Sequence, residues 1–236
     1  MQKAEFDKFA DEYYDLHQKN IRSFGESTDF FAEYKIKDIF ELLMNEAQSP
    51  GHILDFGAGI GTSVPHFRRF FPEASLTCLD VSEKSLEVGR SRFPGLADFQ
   101  SFDGIRIPSP DNTFDLVFSA CVFHHIPHSA HLGLLREWLR VLKSGGMAVM
   151  FEHNPLNPLT VHAVNTCPFD ENAELIRGSV LKKQFLEAGF QCVDLRYRLF
   201  VPGVIRWLRL LERWLYRVPL GAQYFVYGTK PQEKLP

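Results

Sequence analysis

The stretch Ile53-Leu54-Asp55-Phe56-Gly57-Ala58-Gly59-Ile60-Gly61-Thr62 decides the fold. An apolar run ends at Phe56, three glycines follow at alternate positions, and a helix-length segment opens near Thr62. Glycine lacks a Cβ, so its backbone turns through positive φ and comes close to a ligand without a clash. The free N–H groups at the following helix start can hold negative or polar ligand atoms. A dinucleotide-binding turn reads G-x-G-x-x-G, which would put its third glycine at position 62. Here Thr62 stands there and the third glycine is Gly61, so the pattern is G-x-G-x-G with Asp55 two residues ahead of it. The next apolar run, Leu76-Thr77-Cys78-Leu79-Asp80, closes on an acid. An acid at that strand end, about 20 residues beyond the glycines, suits hydrogen bonding to both hydroxyls of a ribose.

Working outward, short apolar runs alternate with helix-length segments. The runs are His52–Phe56, Ser75–Asp80, Asp98–Phe102, Phe114–Ala120, Met147–Glu152, Cys192–Phe200 and Gln223–Gly228; the intervening helices fall at Thr62–Phe71, Ser82–Phe93, Ala130–Val141 and Val180–Ala188. Strand, helix, strand, helix is the rhythm of a parallel sheet covered on both faces. The last two runs are joined by Val201–Leu220, which can cross back without a helical return over the sheet, so the last strand is expected to be antiparallel. The fold class is therefore α/β: a seven-stranded, mostly parallel, doubly wound sheet with an antiparallel last strand and N-terminal helices as a lid. Residues 1–48 carry apolar residues at helical spacing (Phe6, Phe9, Ala10, Tyr13, Tyr14, then Phe30 to Leu43), and Ser49-Pro50-Gly51 breaks the pattern.

Bulk composition narrows the class. The 236 residues suffice for a large buried core, and 45% hydrophobic against 23% charged residues is the balance of a soluble globular chain. A net charge of −3 gives no reason to expect nucleic-acid binding, which calls for a basic surface. Cys78, Cys121, Cys167 and Cys192 form no C-x-x-C pair and read as free thiols of a reducing compartment. The N-terminus has no apolar stretch of the signal-peptide kind, and no run approaches the ~20 apolar residues of a membrane span. The expected location is the cytoplasm, with peripheral contact at the inner membrane face as a further reading.

Ile53-Leu54-Asp55 with its three glycines, followed by Leu79-Asp80-Val81-Ser82, resembles the class I S-adenosylmethionine (SAM)-dependent methyltransferases. Ser101-Phe102-Asp103-Gly104 resembles that family's adenine-contacting loop, and Phe114–Ser119 its fourth strand. Ala120–Ile126 ends in a His-His-Ile common in the family, and Leu139–Gly146 resembles its "L-K-P-G-G" turn, with Ser144 in place of Pro. Five motifs in family order run from about residue 50 to 152. The resemblance implies SAM as cofactor and a division into a helical lid (1–48) and a SAM-binding domain (49–236) with an amphipathic helical insertion at 201–220. It implies that Gly57, Ala58, Gly59 and Gly61 pack on the methionine and ribose, that Asp55 orients the loop or reaches the amino group through water, and that Asp80 binds the ribose with Val81 flanking the adenine. Asp103 and Gly104 would read the adenine edge, Ser119 and Ala120 would line the methionine, and Tyr14 would fold over the cofactor.

SAM carries the reactive methyl, and the protein places the acceptor in line and excludes water. A neutral hydroxyl acceptor benefits from a general base. His124, His125, Glu152 and His153 stand at C-terminal strand ends and are the catalytic candidates; each also has a structural reading, His124 by packing on SAM and Glu152 by anchoring a loop. No metal site is expected, because Pro127 breaks any helix that would align His124 with His128. The long segment from Asn154 to Asp170 is expected to roof the acceptor pocket. Within Val204–Arg217, four arginines fall on one helical face and Trp207, Leu211 and Trp214 on the other, which suits either a partner or subunit contact or an anionic membrane surface. A looser likeness to enzymes of surface-polysaccharide and lipid-linked sugar synthesis points to a small-molecule or glycan acceptor. A quinone-type C- or O-methyltransferase and a non-catalytic SAM-binding module are the alternatives. Oligomeric state is not legible.

Overall fold

The structure is a computed structural model that describes residues 27–46, 48–167, 170, 172–201 and 212–232. Tyr14 and most of Val204–Arg217 lie outside the described residues, so the first part of the expected lid and the amphipathic face carry no structural account. The described elements run α1 (Thr28–Asn45), β1 (His52–Phe56), α2 (Val64–Phe70), β2 (Ser75–Asp80), α3 (Glu83–Arg92), β3 (Asp98–Ser101), β4 (Phe114–Ala120), a 3₁₀ turn (Phe123–His125), α4 (His128–Val141), β5 (Leu142–His153), α5 (Pro158–Asn165), α6 (Gly178–Ala188), β6 (Gln191–Arg198), α7 (Glu212–Leu215) and β7 (Gln223–Thr229). The sheet order is β3-β2-β1-β4-β5-β7-β6. The first five strands pair in parallel, and β7 is antiparallel to both β5 and β6, as the return through 201–220 leads one to expect.

Alternation along the strands builds two apolar layers. Leu54, Phe56, Val117, Ala148, Met150, Tyr224 and Val226 face α4 and α6, where Trp138, Leu181 and Phe185 are fully buried. Ile53, Leu116, Phe118, Met147, Val149, Phe151 and Phe225 face the other way, onto α1, α2 and α3. Successive strand side chains point to opposite faces, so near-continuous apolar strands are what a sheet buried on both faces requires. Each large side chain so buried stabilises the fold by roughly 1.5–3 kcal/mol.

Two details depart from the expectation. The Leu142–Gly146 stretch, read as a turn, is the beginning of β5, and the strand runs twelve residues. Gly145 at φ +77° forms an irregularity that stays paired: its N–H donates to Lys230 O, and Lys230 N–H donates back to Gly146 O. The segment after β5 is also not a plain loop. Asn157 accepts from the N–H groups of Leu159 and Thr160 and caps α5, with Pro158 at its first turn. An Asn before a Pro is a helix-start signal by the same logic that makes it a turn signal.

The ends of the elements that matter for the site are fixed by short-range chemistry. Ser27 caps α1 by accepting from Phe30 N–H, and Ser82 caps α3 by accepting from Ser85 N–H. Helix α1 is tied down twice. Asp38 pairs with Arg198 on β6, and the Tyr34 hydroxyl donates to Gln223 Oε1 at the start of β7. Asn154, fully buried, donates to the carbonyls of Pro219 and Gly221, while Asn157 donates to Leu220 O and Thr160 to Ala222 O. The Asn-Pro-Leu-Asn-Pro segment therefore holds the approach to β7, and much of the expected roof is structural.

Candidate active site

The glycine turn leaves β1 at Phe56 with Gly57, Gly59 and Gly61 all at positive φ (77°, 52° and 74°). Gly57 and Ala58 donate their N–H groups to Leu79 O, which keys the turn to the end of β2. The three glycines serve different ends. A methyl built on Gly57 collides with both methyls of Val122, and one on Gly61 meets the Phe99 ring at 3.1 Å. One on Gly59 meets nothing within 4 Å. Gly57 and Gly61 thus allow the protein to pack against its own turn, while Gly59 borders open space where a ligand can come within contact of the backbone.

The acids predicted around this turn converge on it. Asp80 ends β2; its Oδ2 accepts from Gly59 N–H at 2.9 Å and its Oδ1 from Ser82 N–H at 2.9 Å. Asp55 is buried at the end of β1, and its Oδ2 has no hydrogen-bond partner. Burial, reinforced by the charge of Asp80 and opposed by Lys35, pushes the Asp55 carboxyl up to about 8. An orphaned buried carboxyl oxygen is costly unless a donor completes it. Asp103 lies exposed after β3, where its Oδ1 accepts from Ile105 and Arg106 N–H, and these bonds lower its pKa. Gly104 follows at φ +82°, Val81 is buried beside it, and Ser119 and Ala120 end β4.

Beyond β4 and β5 lies a second cluster. Cys121 turns the chain at φ +58°, donates its N–H to Phe151 O, and leads into the 3₁₀ turn that carries His124 and His125. Glu152 underlies this turn. Its Oε1 accepts from Val122 N–H (3.1 Å) and Phe123 N–H (2.8 Å), and its Oε2 faces His124 Nδ1 at 2.6 Å. Asp170 closes the cluster from the other side, 3.5 Å from His124 Nε2 and 3.4 Å from His125 Nε2. The Asp170 segment is anchored by Glu174 N–H, which donates to His124 O at 2.8 Å. His153 stands beside them, its ring 5.3 Å from that of His124, and Gln223 Nε2 lies 3.3 Å from His153 Nδ1.

The environment separates the three imidazoles. Burial alone would lower His124, but the charge of Glu152 and the contacts to Asp170 prevail and push it up to about 10. Burial, with the neighbouring His124 charge, lowers His153 to about 4, and burial lowers His125 as well. Glu152 is held low by His124 despite its burial, and Asp170 is held low by His124 and His125 against its own desolvation. All four predicted catalytic candidates therefore meet in one place. His131, by contrast, is spent on structure: its Nε2 faces the carbonyls of Phe123 and Ile126 at 3.1 and 2.8 Å.

Five residues of this region carry no role in the sequence reading. Lys35 is buried, 3.7 Å from Cys121 Sγ, on the α1 face otherwise made by Ala32, Ile36 and Ile39. A lysine inside an apolar helical stripe is the signal that would have found it. Tyr34 and Gln223 are linked by their hydrogen bond, and Gln223 also reaches Cys121 Sγ at 3.7 Å. Asp170 lies in the expected roof without being singled out, and Cys121 carries strain that no sequence pattern displays.

Comparison with known proteins gives this geometry a family. A family described as a methyltransferase domain matches residues 54–150. A ubiquinone/menaquinone biosynthesis C-methyltransferase of Pseudomonas putida is 30% identical over 194 residues, covering 70% of this chain and 74% of that protein. The corresponding protein of Pseudomonas entomophila is 31% identical over 137 residues, 55% of this chain, and the match spans only 53% of that relative. In fold, a SAM-dependent methyltransferase of Thermotoga maritima superposes with a TM-score of 0.68 at 18% identity, covering 98% of this chain and all of that one. A phosphoethanolamine N-methyltransferase of Haemonchus contortus, solved with SAM, gives a TM-score of 0.60 at 18% identity over 96% of this chain and 60% of that one. The open edge of Gly59 and the orphaned Asp55 oxygen fit that cofactor, and the chain belongs to the class I SAM-dependent methyltransferases.

Proposed function

We propose that this methyltransferase alkylates a hydroxyl group of a small polar acceptor held beyond the C-terminal ends of β4 and β5. The observation that carries the reading is the convergence of His125, His153, Asp170, Gln223, Tyr34 and Lys35 on that side of the glycine turn, from segments far apart in the sequence. SAM supplies an electrophilic sulfonium methyl group when bound. Gly57, Ala58, Gly59 and Gly61 give it a backbone wall, and Asp80 takes the ribose hydroxyls. Val81, Asp103 and Gly104 surround the adenine, and Ser119 and Ala120 line the methionine. Asp55 accepts from the methionine amino group and so completes its unpaired oxygen.

In this reading Glu152 and His124 are positioning residues. Both oxygens of Glu152 are engaged and neither side chain is more than 1% exposed, so they hold the 3₁₀ turn rather than touch the acceptor. His125 and Asp170, at 10% and 13%, are the accessible members and the side chains that meet the acceptor hydroxyl.

Ring-carbon methylation of a quinol is the second reading, favoured by the Pseudomonas relatives being ubiquinone/menaquinone biosynthesis C-methyltransferases. The discriminating experiment incubates the chain with methyl-labelled SAM and a panel of free sugars, lipid-linked sugars and quinols. Label in an O-methyl product, lost with Asp80→Asn together with at least about tenfold of S-adenosylhomocysteine affinity, is the expected result. Label on a quinol ring carbon alone replaces the proposal with the second reading. A lipid-linked acceptor gains support from exposed Leu156, Leu159, Trp214 and Leu220, three of which flank the Asn157 bond to Leu220 O. Among the described residues no helix is long and apolar enough to cross a membrane, so such contact would be peripheral. Anionic vesicles added to the same assay should raise turnover of the lipid-linked acceptor, and an unchanged rate removes the membrane contact.

A further inference from the structure

The geometry points to a divalent transition-metal site of the zinc type, formed by His124 Nε2, His125 Nε2 and Asp170 Oδ1. The three atoms lie within 4.8 Å of one another. Two of the separations, 3.5 and 3.4 Å, involve the Asp170 oxygen. Zinc bonds to imidazole nitrogen and carboxylate oxygen of about 2.0–2.1 Å, set at tetrahedral angles, put neighbouring ligand atoms about 3.4 Å apart. The two edges through Asp170 already have that spacing, and the third, between the two imidazoles, is no longer than 4.8 Å.

The hydrogen-bond chemistry argues the same way. His124 Nδ1 meets Glu152 Oε2 at 2.6 Å, the length of a charge-assisted bond, so the Nδ1 proton is committed there. Without a metal the charged ring presents its other N–H, on Nε2, to a second carboxylate, Asp170; a divalent cation would take the place of that proton between them. A shared proton typically draws such a pair to about 2.7–2.9 Å or less, as on the Glu152 side at 2.6 Å, whereas Asp170 stands off at 3.5 Å. The wider gap fits an ion.

Glu152 also has the role that metal-binding histidines usually find outside the ligand set, a carboxylate on the far ring nitrogen that fixes tautomer and orientation. Its other oxygen is pinned by the Val122 and Phe123 amides, so the His124 ring has little freedom to turn away. Pro127, which argues against a helical ligand pair at His124 and His128, is no obstacle, because the ligands come from the 3₁₀ turn before it and from Asp170. Three protein ligands leave one tetrahedral position for water or for an acceptor oxygen, the form of a catalytic rather than a structural zinc site. This assignment deepens the acceptor reading above and rests on it for the site's purpose, but the metal is read without methyl transfer.

The test strips the full chain with chelator, then titrates Zn²⁺ by calorimetry and Co²⁺ by visible absorption, with S-adenosylhomocysteine binding measured on the same samples. One ion per chain is expected, with the intense d–d bands of four-coordinate Co²⁺. Asp170→Asn and His125→Gln should each weaken Zn²⁺ at least tenfold and leave S-adenosylhomocysteine affinity unchanged. Glu152→Gln should cost about 10–100-fold in metal affinity. Absence of the bands and of stoichiometric Zn²⁺ binding overturns the metal site while intact S-adenosylhomocysteine binding leaves the methyltransferase reading in place. Zn²⁺ binding that survives in both Asp170→Asn and His125→Gln also overturns it, because the ion is then held elsewhere.

Discussion

The two halves of the proposed site are made in opposite ways. The cofactor half is backbone: three glycines at positive φ, amide groups at the end of β1, and one acid at each of two strand ends. The acceptor half is side chain: Glu152 from β5, His124 and His125 from the turn after β4, Asp170 from the segment after α5, and Gln223 from β7, all interlocked. Backbone sites tolerate the loss of a side chain in the fold but not in the ligand. Interlocked buried charges do the reverse, because removing one leaves its partners unsatisfied in a low-dielectric interior. The contrast predicts that acceptor-side variants will lose stability first and cofactor-side variants will lose affinity first.

The largest expected effect is therefore at Glu152. Its truncation in Glu152→Ala strands two buried amide N–H groups and the His124 imidazole at once. Breaking a buried pair on one side costs about 3–5 kcal/mol. The denaturant midpoint should fall accordingly with an unchanged slope, and Glu152→Gln, which keeps an oxygen for the amides, should recover part of the loss. A midpoint for Glu152→Ala equal to that of the parent would break the contrast, because the cluster would then be decoration on an independently stable turn.

How far each half was legible in the sequence follows from the same difference. The glycine turn, Asp80 and the strand ends are local patterns, since each needs only a run of about ten residues to be recognised. The antiparallel β7 was legible because the 201–220 connection reads as able to cross back without a long helical return over the sheet face. His124, His125, Glu152 and His153 were visible as strand-end residues, but their grouping was not, because no sequence interval brings Glu152 Oε2 to His124 or Asp170 to both histidines. Lys35 was hidden between Tyr34 and Ile36, whose apolar rhythm dominates that helix. Helix α5 was missed because Pro155 and Pro158 read as loop punctuation, although Asn157 and Pro158 together form an N-terminal cap.

A smaller and pH-dependent effect sharpens the boundary between the halves. Asp55 belongs to the cofactor turn, yet it is buried like the acceptor cluster, and burial first, then Asp80, holds its carboxyl up at about 8. In the unfolded chain an aspartate titrates near 4. Between those values the folded chain binds one proton more than the unfolded one, so stability falls as pH rises, by about 1.4 kcal/mol per pH unit. This contribution is fully present below about pH 4 and lost as pH passes through about 8. Between about pH 6 and about pH 7.5 the parent should thus lose about 2 kcal/mol from this group alone. The uncharged Asp55→Asn should lack that slope when both are unfolded in urea without cofactor. Parallel pH curves for the two proteins would mean that Asp55 is already ionised in the fold, with Lys35 its counter-charge.

The smallest effect on stability distinguishes two glycines two residues apart. Gly57→Ala puts a methyl into Val122, which heads the acceptor turn, so the cofactor turn and the acceptor cluster are pressed against each other at that point. Gly59→Ala meets no protein atom within 4 Å, and its only intrinsic cost is an alanine at φ +52°, about 1 kcal/mol. Its folded fraction should be close to that of the parent under native conditions. If the open space beside Gly59 belongs to the cofactor, the added methyl occupies it, and S-adenosylhomocysteine affinity should drop by about tenfold or more, equivalent to about 1.4 kcal/mol of binding. Gly57→Ala should show the opposite balance, a larger fall in denaturant midpoint than its change in affinity accounts for. Equal affinities for the parent and Gly59→Ala would place the cofactor elsewhere than along this edge of the turn. The backbone half of the site would then have to be redrawn around Asp80 and Asp55 alone.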